Sequence, residues 1–360
     1  MMRQAPLVLS VLGLVGCASI GPRTVPRDRF DYSGAVAESW KSQMLMNLVK
    51  LRYGDTPVFL DVGQIVSGYT LQSTFSALGS VYSTSGVVPG VPNSSVTLGA
   101  QGQYTDRPTI TYAPLAGEQF ARSFMTPIPP AALLSLIQAG YPADVVLRLA
   151  VHAVNGIRNR YGGHARGRPA DPEFYVLLER LLRAQLSGAI GLRVRRIDRE
   201  EAELMLTFQK ELDPSIEANV LAVRQILGLD PSSREFRVVY GSVSANDKQI
   251  AILSRSILEI LVDLSSFIAV PEAHVAERRV TPTAEAEVGP SGPFRPLIGI
   301  ASSPERPADA FLAVPYRGHW FWIDDRDMPS KRLFSFLFFI FTLVETEGKE
   351  GAPILTIPVQ

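Results

Sequence analysis

No charged residue occurs between Gln64 and Gln103. Within that stretch Tyr69, Leu71, Phe75, Ala77 and Val81 alternate with Thr70, Gln72, Thr74, Ser76 and Ser80, with Leu78 the exception. A period of two puts neighbouring side chains on opposite faces, which is the signature of a strand and not of a helix. Gly86, Pro89, Gly90, Pro92 and Asn93 then form a turn-rich insert. Beyond it Val96, Leu98, Ala100 and Tyr104 alternate with Thr97, Gln101, Gln103 and Thr105. The pattern predicts a long antiparallel β-hairpin with an uncharged polar face and a small-to-aromatic apolar face.

The other elements follow from periodicity and punctuation. Val36, Trp40, Met44, Leu48 and Leu51 recur at helical spacing, with Glu38, Lys41, Asn47 and Lys50 on the other face, until Gly54 and Pro57 end the run. Pro129-Pro130 and Pro142 each open a helix, the second reaching about Asn155. Asp171 is placed as an N-cap before Pro172, with Gly188 after the helix end. Alternation over 192–208 suggests a hairpin turning at 198–200. Helices are expected over 216–227 and 255–268, a strand over 236–240, and a hairpin of 311–314 with 319–323 around Tyr316-Arg317-Gly318. A last helix starts near Asp327 or Ser330, and a short strand is expected at 354–357. The fold class is α+β, with mixed helices and antiparallel hairpins. The expected divisions are a signal at 1–16, a tether at 17–34, an N-terminal region at 35–168, and an α+β domain at 169–360. The last contains an extended loop at 281–307 with six prolines.

The N-terminus reads as an address. Arg3 supplies a positive charge and residues 7–15 a short apolar run, far below the ~20 residues of a spanning helix. Leu14-Val15-Gly16-Cys17 resembles the lipobox of bacterial lipoproteins, and Cys17 is the only cysteine in the chain. The resemblance implies that the Cys17 thiol carries diacylglycerol, that the signal is cut before it, and that the new amino terminus is acylated too. Two or more chains give stable anchoring, at about 0.8 kcal/mol per buried CH₂. Ala18, in place of an aspartate that resembles an inner-membrane retention signal, points to the periplasmic face of an outer membrane.

Chemical signatures are sparse. With 35 basic and 35 acidic residues the net charge is zero, which argues against nucleic acid as a partner. The sequence carries no Gly-x-Ser-x-Gly, His-Glu-x-x-His or Gly-x-Gly-x-x-Gly motif, and no catalytic residue, metal site or cofactor is assigned. His152, His164, His274 and His319 lie far apart, His152 within an apolar helix. Asp324, Asp325 and Asp327 either hold a divalent cation or complement the dipole of the following helix. Arg158, Arg160, His164, Arg166 and Arg168, interleaved with Gly162, Gly163 and Gly167, form a basic loop that either meets anionic headgroups or polysaccharide or is simply solvated. The apolar run 333–344 is too short to span a membrane and is expected as a core helix.

Residues 39–62 (SWKSQMLMNLVKLRYGDTPVFLDV) and 321–346 (FWIDDRDMPSKRLFSFLFFIFTLVET) resemble proteobacterial lipoproteins of unassigned function. The expectation is a lipid-anchored structural or assembly component of an envelope or export complex, with membrane and envelope proteins as partners and possible homo-oligomerisation. Two rivals stand beside it. Strands of about 9–11 residues suffice to cross an outer membrane, and a closed barrel would need several copies to donate 70–105 hairpins. That layout resembles the oligomeric secretion-pore lipoproteins of the curli system. The other rival is an envelope glycan-binding protein or hydrolase.

Overall fold

The computed structural model describes residues 21–66, 69–81, 94–106, 109–114, 117–162, 167–196, 202–210, 212–286, 288–289 and 292–345. The lipobox and Cys17, His164, Arg166, the 82–93 insert, the 198–200 turn and the 354–357 strand lie outside them. The architecture is α+β. Two compact units divide the chain: Met1–Ser39 with Leu60–Pro114, and Trp40–Phe59 with Leu115–Gln360.

In the first unit, β2 (Tyr69–Val81) and β3 (Ser94–Asp106) pair antiparallel along their whole length, from Tyr69↔Asp106 to Val81↔Ser94. β1 (Leu60–Val66) pairs with β4 (Thr109–Pro114) in the same register count, after a shift between Val62 and Gln64. The long uncharged hairpin is therefore formed, and its pairing extends beyond the stretch that the alternation marked. The first helix, α1 (Gly21–Arg52), starts well before the expected residue 36 and includes Pro26. The tether inferred from glycine and proline content is thus helical from Gly21. Pro22 falls in the first helical turn, where a missing N–H has no intrahelical partner, whereas Pro26 in the second turn forfeits one i→i−4 bond near the helix start.

In the second unit, α1 contributes Met44, Leu45, Leu48 and Val49 to the core. Trp40 of the expected apolar stripe stays exposed, and Asn47, assigned to the polar face, is buried. Its amide donates to the Val58 carbonyl at 2.7 Å and accepts from the Val58 N–H at 2.9 Å, closing the turn that follows Gly54. A short helix α2 (Gly117–Phe120) runs into a π-helical turn, Ala121–Met125. There Phe120 stacks on Phe124 at 4.8 Å, and Phe124 packs on Phe59 at 4.2 Å.

α3 (Pro130–Gln138) and α4 (Ala143–Ala150) meet at a turn held by Gln185 of α5 (Pro172–Leu186). Its amide donates to the Ile137 and Tyr141 carbonyls and accepts from the Ala143 N–H. The chain leaves α4 as a strand, β5 (Val151–Val154), and turns through Asn155-Gly156 into β6 (Ile157–Arg158). Asn155 (φ 46) and Gly156 (φ 83) are both left-handed, as a two-residue hairpin turn of type I′ requires. The expected helix to Asn155 is therefore wrong after Ala150, and His152 lies on a strand.

β7 (Ile190–Arg196), β8 (Ala202–Phe208), β9 (Glu235–Tyr240) and β10 (Gln249–Ser254) complete a six-stranded sheet of order β6-β5-β10-β9-β8-β7. Its neighbours are antiparallel except β9 with β10. Because β5 and β6 belong to this sheet, the expected division at 168/169 runs through it rather than between bodies.

α6 (Pro214–Ile226) separates β8 from β9. After β10 come α7 (Ile257–Ser265), α8 (Glu272–Ala276), two short paired strands within the proline-rich loop, β11 (Val288–Gly289) and β12 (Gly292–Pro293), and a second sheet of order β13-β15-β14. In it β13 is Ala301–Ser303, β14 Ala310–Tyr316 and β15 His319–Asp324. The final helix, α9 (Met328–Glu345), buries Leu333, Phe334, Phe336, Leu337 and Ile340, as a core helix should. Among the described residues no helix is long and apolar enough to cross a membrane.

Candidate functional site

The site is built on α7. Ser256 caps it by accepting from the Glu259 N–H, while the Glu259 carboxylate accepts from the Ser256 N–H at 2.8 Å, a reciprocal capping box. Ile257, Ile260, Leu261 and Leu264 turn its apolar face inward, and Asp263 goes with them, only 2% exposed. A buried carboxylate needs charged partners. Arg160 donates to its Oδ1 at 3.1 Å and Arg255 to its Oδ2 at 3.1 Å. The Gly162 N–H adds a third donor at 2.7 Å. Any side chain at residue 162 would collide with the Arg160 guanidinium and the Ser266 hydroxyl, so glycine is required for this approach.

Arg255 is wholly buried and also donates to the Arg148, Leu149 and Arg160 carbonyls. Burial lowers its pKa, and Asp263 opposes that shift. Arg160 lies over the Phe267 ring at 4.1 Å. One carboxylate thus serves two guanidinium groups.

Beside this triad opens a cavity of about 830 Å³. Arg52, Arg160, Arg278 and Arg279 line it, and among the described residues no aspartate or glutamate is in its wall. Arg52 ends α1 and donates to the Ile268 and Thr281 carbonyls and the Thr281 hydroxyl, all neutral acceptors. Burial lowers its pKa. Arg279 is paired at the surface with Glu277 at 2.6 Å.

Arg278 occupies an unusual position. The Arg279 N–H bonds the His274 carbonyl and the Arg278 N–H bonds the Val275 carbonyl, which is the Schellman termination of α8. Arg278 therefore takes φ 58, where glycine is usual and a side chain costs about 1–2 kcal/mol.

The wall beyond Tyr53 holds a second titratable cluster. The Tyr53 hydroxyl lies 2.7 Å from His274 Nδ1, and the His274 and His319 rings pack edge to face at 4.9 Å. Burial lowers the His274 pKa, helped by His319 and Arg279, while burial raises that of Tyr53 against the pull of Arg52. Both groups are thus held neutral, and the bond between them is one between uncharged partners. Tyr316 donates to Asp55, which Arg317 also meets at 3.1 Å; Arg317 stands over the Tyr53 ring.

The sequence-predicted residues are dispersed by comparison. In the basic loop Arg160 is buried in the triad, Arg158 binds Asp171, and Arg168 donates to the Asn159 carbonyl, so these three are tied to the fold. Asp171 stands at the N-cap position, but its carboxylate accepts from the Arg158 N–H at 2.8 Å and makes no cap bond. The backbone bond from Arg158 holds it below the usual carboxylate range. His152 meets Glu259 at 3.2 Å, and Ser256 meets the other oxygen of the same carboxylate. In a nucleophilic triad the imidazole lies between hydroxyl and acid; here the acid lies between, so no proton path runs from Ser256 to His152. These bonds, chiefly that of His152, lower the Glu259 pKa to about 2.

Asp324 accepts from the Arg326 N–H, Asp325 pairs with Lys331, and Asp327 pairs with Arg295 and bonds Ser330. Arg52, Tyr53, Arg255, Asp263, Arg278 and Arg279 were not anticipated. No family model, curated protein or solved structure matches the chain.

Asp263→Asn leaves two buried guanidinium groups without a counter-charge, and should cost about 3–5 kcal/mol in denaturant unfolding at neutral pH. The lowered His274 pKa means that the unfolded chain binds the extra proton first. Its contribution to stability is therefore intact above its ordinary value of 6.5 and declines as pH falls below it. In His274→Asn the melting temperature should start lower, and should fall less steeply across that acid window than in the wild type.

Proposed function

We propose that this chain is a bacterial lipoprotein, acylated at Cys17 and anchored to the periplasmic face of an outer membrane, where it serves as a structural or assembly component of an envelope or export complex. The observation that carries the anchoring is that the one cysteine falls where the Leu14-Val15-Gly16 run demands it. Ala18 favours the outer membrane over inner-membrane retention. A role in assembly is supported by a second unit that offers a wide arginine-lined cavity, suited to holding a charged group. In cells fed labelled palmitate, the wild-type protein should take up label and fractionate with membranes. Cys17→Ala should lose the label and remain uncut or soluble. Unchanged labelling and fractionation in that variant would overturn the anchoring.

A second reading, an oligomeric pore, is favoured by the hairpin itself. Its paired strands are 13 residues each, longer than the ~9–11 that a transmembrane strand needs, and uncharged from 69 to 105. A single hairpin leaves open edges, which lipid does not tolerate, so a pore requires several copies. It predicts oligomers that survive mild detergent and dissociate when 70–105 is deleted. A full-length monomer in that detergent would rule the pore out.

A further inference from the structure

We propose that the cavity bordered by Arg52, Arg160 and Arg278 binds the phosphoryl group of a phosphate-bearing ligand. This goes beyond anchoring and does not depend on it. Four arginines and, among the described residues, no carboxylate line the wall; Arg160 and Arg279 have acid partners behind or beside it, and Arg52 and Arg278 have none among those residues. A neutral sugar would leave that charge uncompensated, and a cation would be repelled.

Three features single out a phosphoryl group. Arg52 spends three donor contacts on neutral acceptors, yet a guanidinium has five N–H groups in a fixed fork. Its unused N–H groups and its charge lack an anionic partner among the described residues. Arg278 makes no side-chain hydrogen bond or ion pair among the described residues, and it is presented to the cavity from a left-handed position that glycine would fill without strain. Beneath them Asp263 is already shared by Arg160 and Arg255, so the one buried acid nearby among the described residues is saturated.

Several forks around one space supply more donors than the two oxygens of a carboxylate can accept. A phosphate monoester offers three terminal oxygens and a charge of about −1.5 to −2. The Thr281 hydroxyl in the same wall accepts from Arg52 and keeps its own proton to donate. The phosphoryl group can belong to a lipid headgroup or to a soluble phosphate, and the chemistry recognised is the same.

The test uses the full chain purified in mild detergent, titrated calorimetrically with inorganic pyrophosphate. Saturable one-to-one binding is expected, weakened about tenfold or more in Arg278→Asn and in Arg52→Lys, as loss of a charge-assisted bond implies. Asparagine tolerates left-handed backbone, and Arg278→Gly, which relieves it, replaces that variant if it melts early. Absence of saturable binding overturns the proposal, as does binding that both variants leave intact or that citrate matches in affinity. The source is separated by flotation of the Cys17→Ala protein, which lacks the anchor, with vesicles of phosphatidylcholine alone or mixed equally with phosphatidic acid. Flotation lost in Arg278→Asn assigns a headgroup; pyrophosphate binding without flotation assigns a soluble phosphate. A failed anchor changes neither readout, because pyrophosphate binding is measured without a membrane and the flotation uses a chain that cannot be acylated.

Discussion

The second unit depends on one carboxylate. Asp263 is 2% exposed and bridges Arg160, which enters from the segment after β6, and Arg255, which joins β10 to α7. Two charges taken out of water cost more than their attraction returns unless geometry and additional bonds are good. Here further bonds come from the Gly162 N–H and from the Arg148, Leu149 and Arg160 carbonyls, although Arg255 Nε stays buried without a hydrogen-bond partner. The triad therefore pins two distant stretches of chain, 148–162 and 255–263, at one point. Its net positive charge shapes the electrostatics of the cavity beside it.

That arrangement links fold to recognition. Replacing Arg160 by a neutral residue would leave Arg255 as the one charged partner of a buried acid. The cavity wall is therefore cationic as a consequence of how the core is closed. Arg52, at the end of α1, and Arg278, at the end of α8, extend the same charge toward solvent. On the far side of Tyr53, two of the four histidines lie together, His274 held neutral by burial. A pocket of fixed positive charge beside a neutral Tyr–His pair is suited to binding an anion.

Legibility from sequence followed the strength of each local signal. The hairpin over β2 and β3, the proline-opened helices and the Arg317-Gly318 turn were visible because period and turn chemistry agree there. β5 and β10 were not. Both are central strands covered on two faces, so Val151–Val154 and Gln249–Ser254 read as apolar runs without alternation. The Asn155-Gly156 pair is the local sign of the hairpin that ends the α4–β5 stretch, since both residues suit a left-handed turn. The tether failed for another reason: proline and glycine counts do not reveal where in a helix they fall, and Pro26 sits near the start.

The sequence by itself determined the class of elements, the absence of charge along the hairpin and the singular position of Cys17, because each rests on neighbours along the chain. Tertiary structure alone decided the site. Arg52, Arg160, Asp263 and Arg278 are separated by up to more than two hundred positions, and no local rule marks an arginine as a wall of a cavity or an aspartate as its anchor. Their meeting follows from packing α1, α7 and α8 around one core. Only there does it become apparent that two cations share a single buried acid.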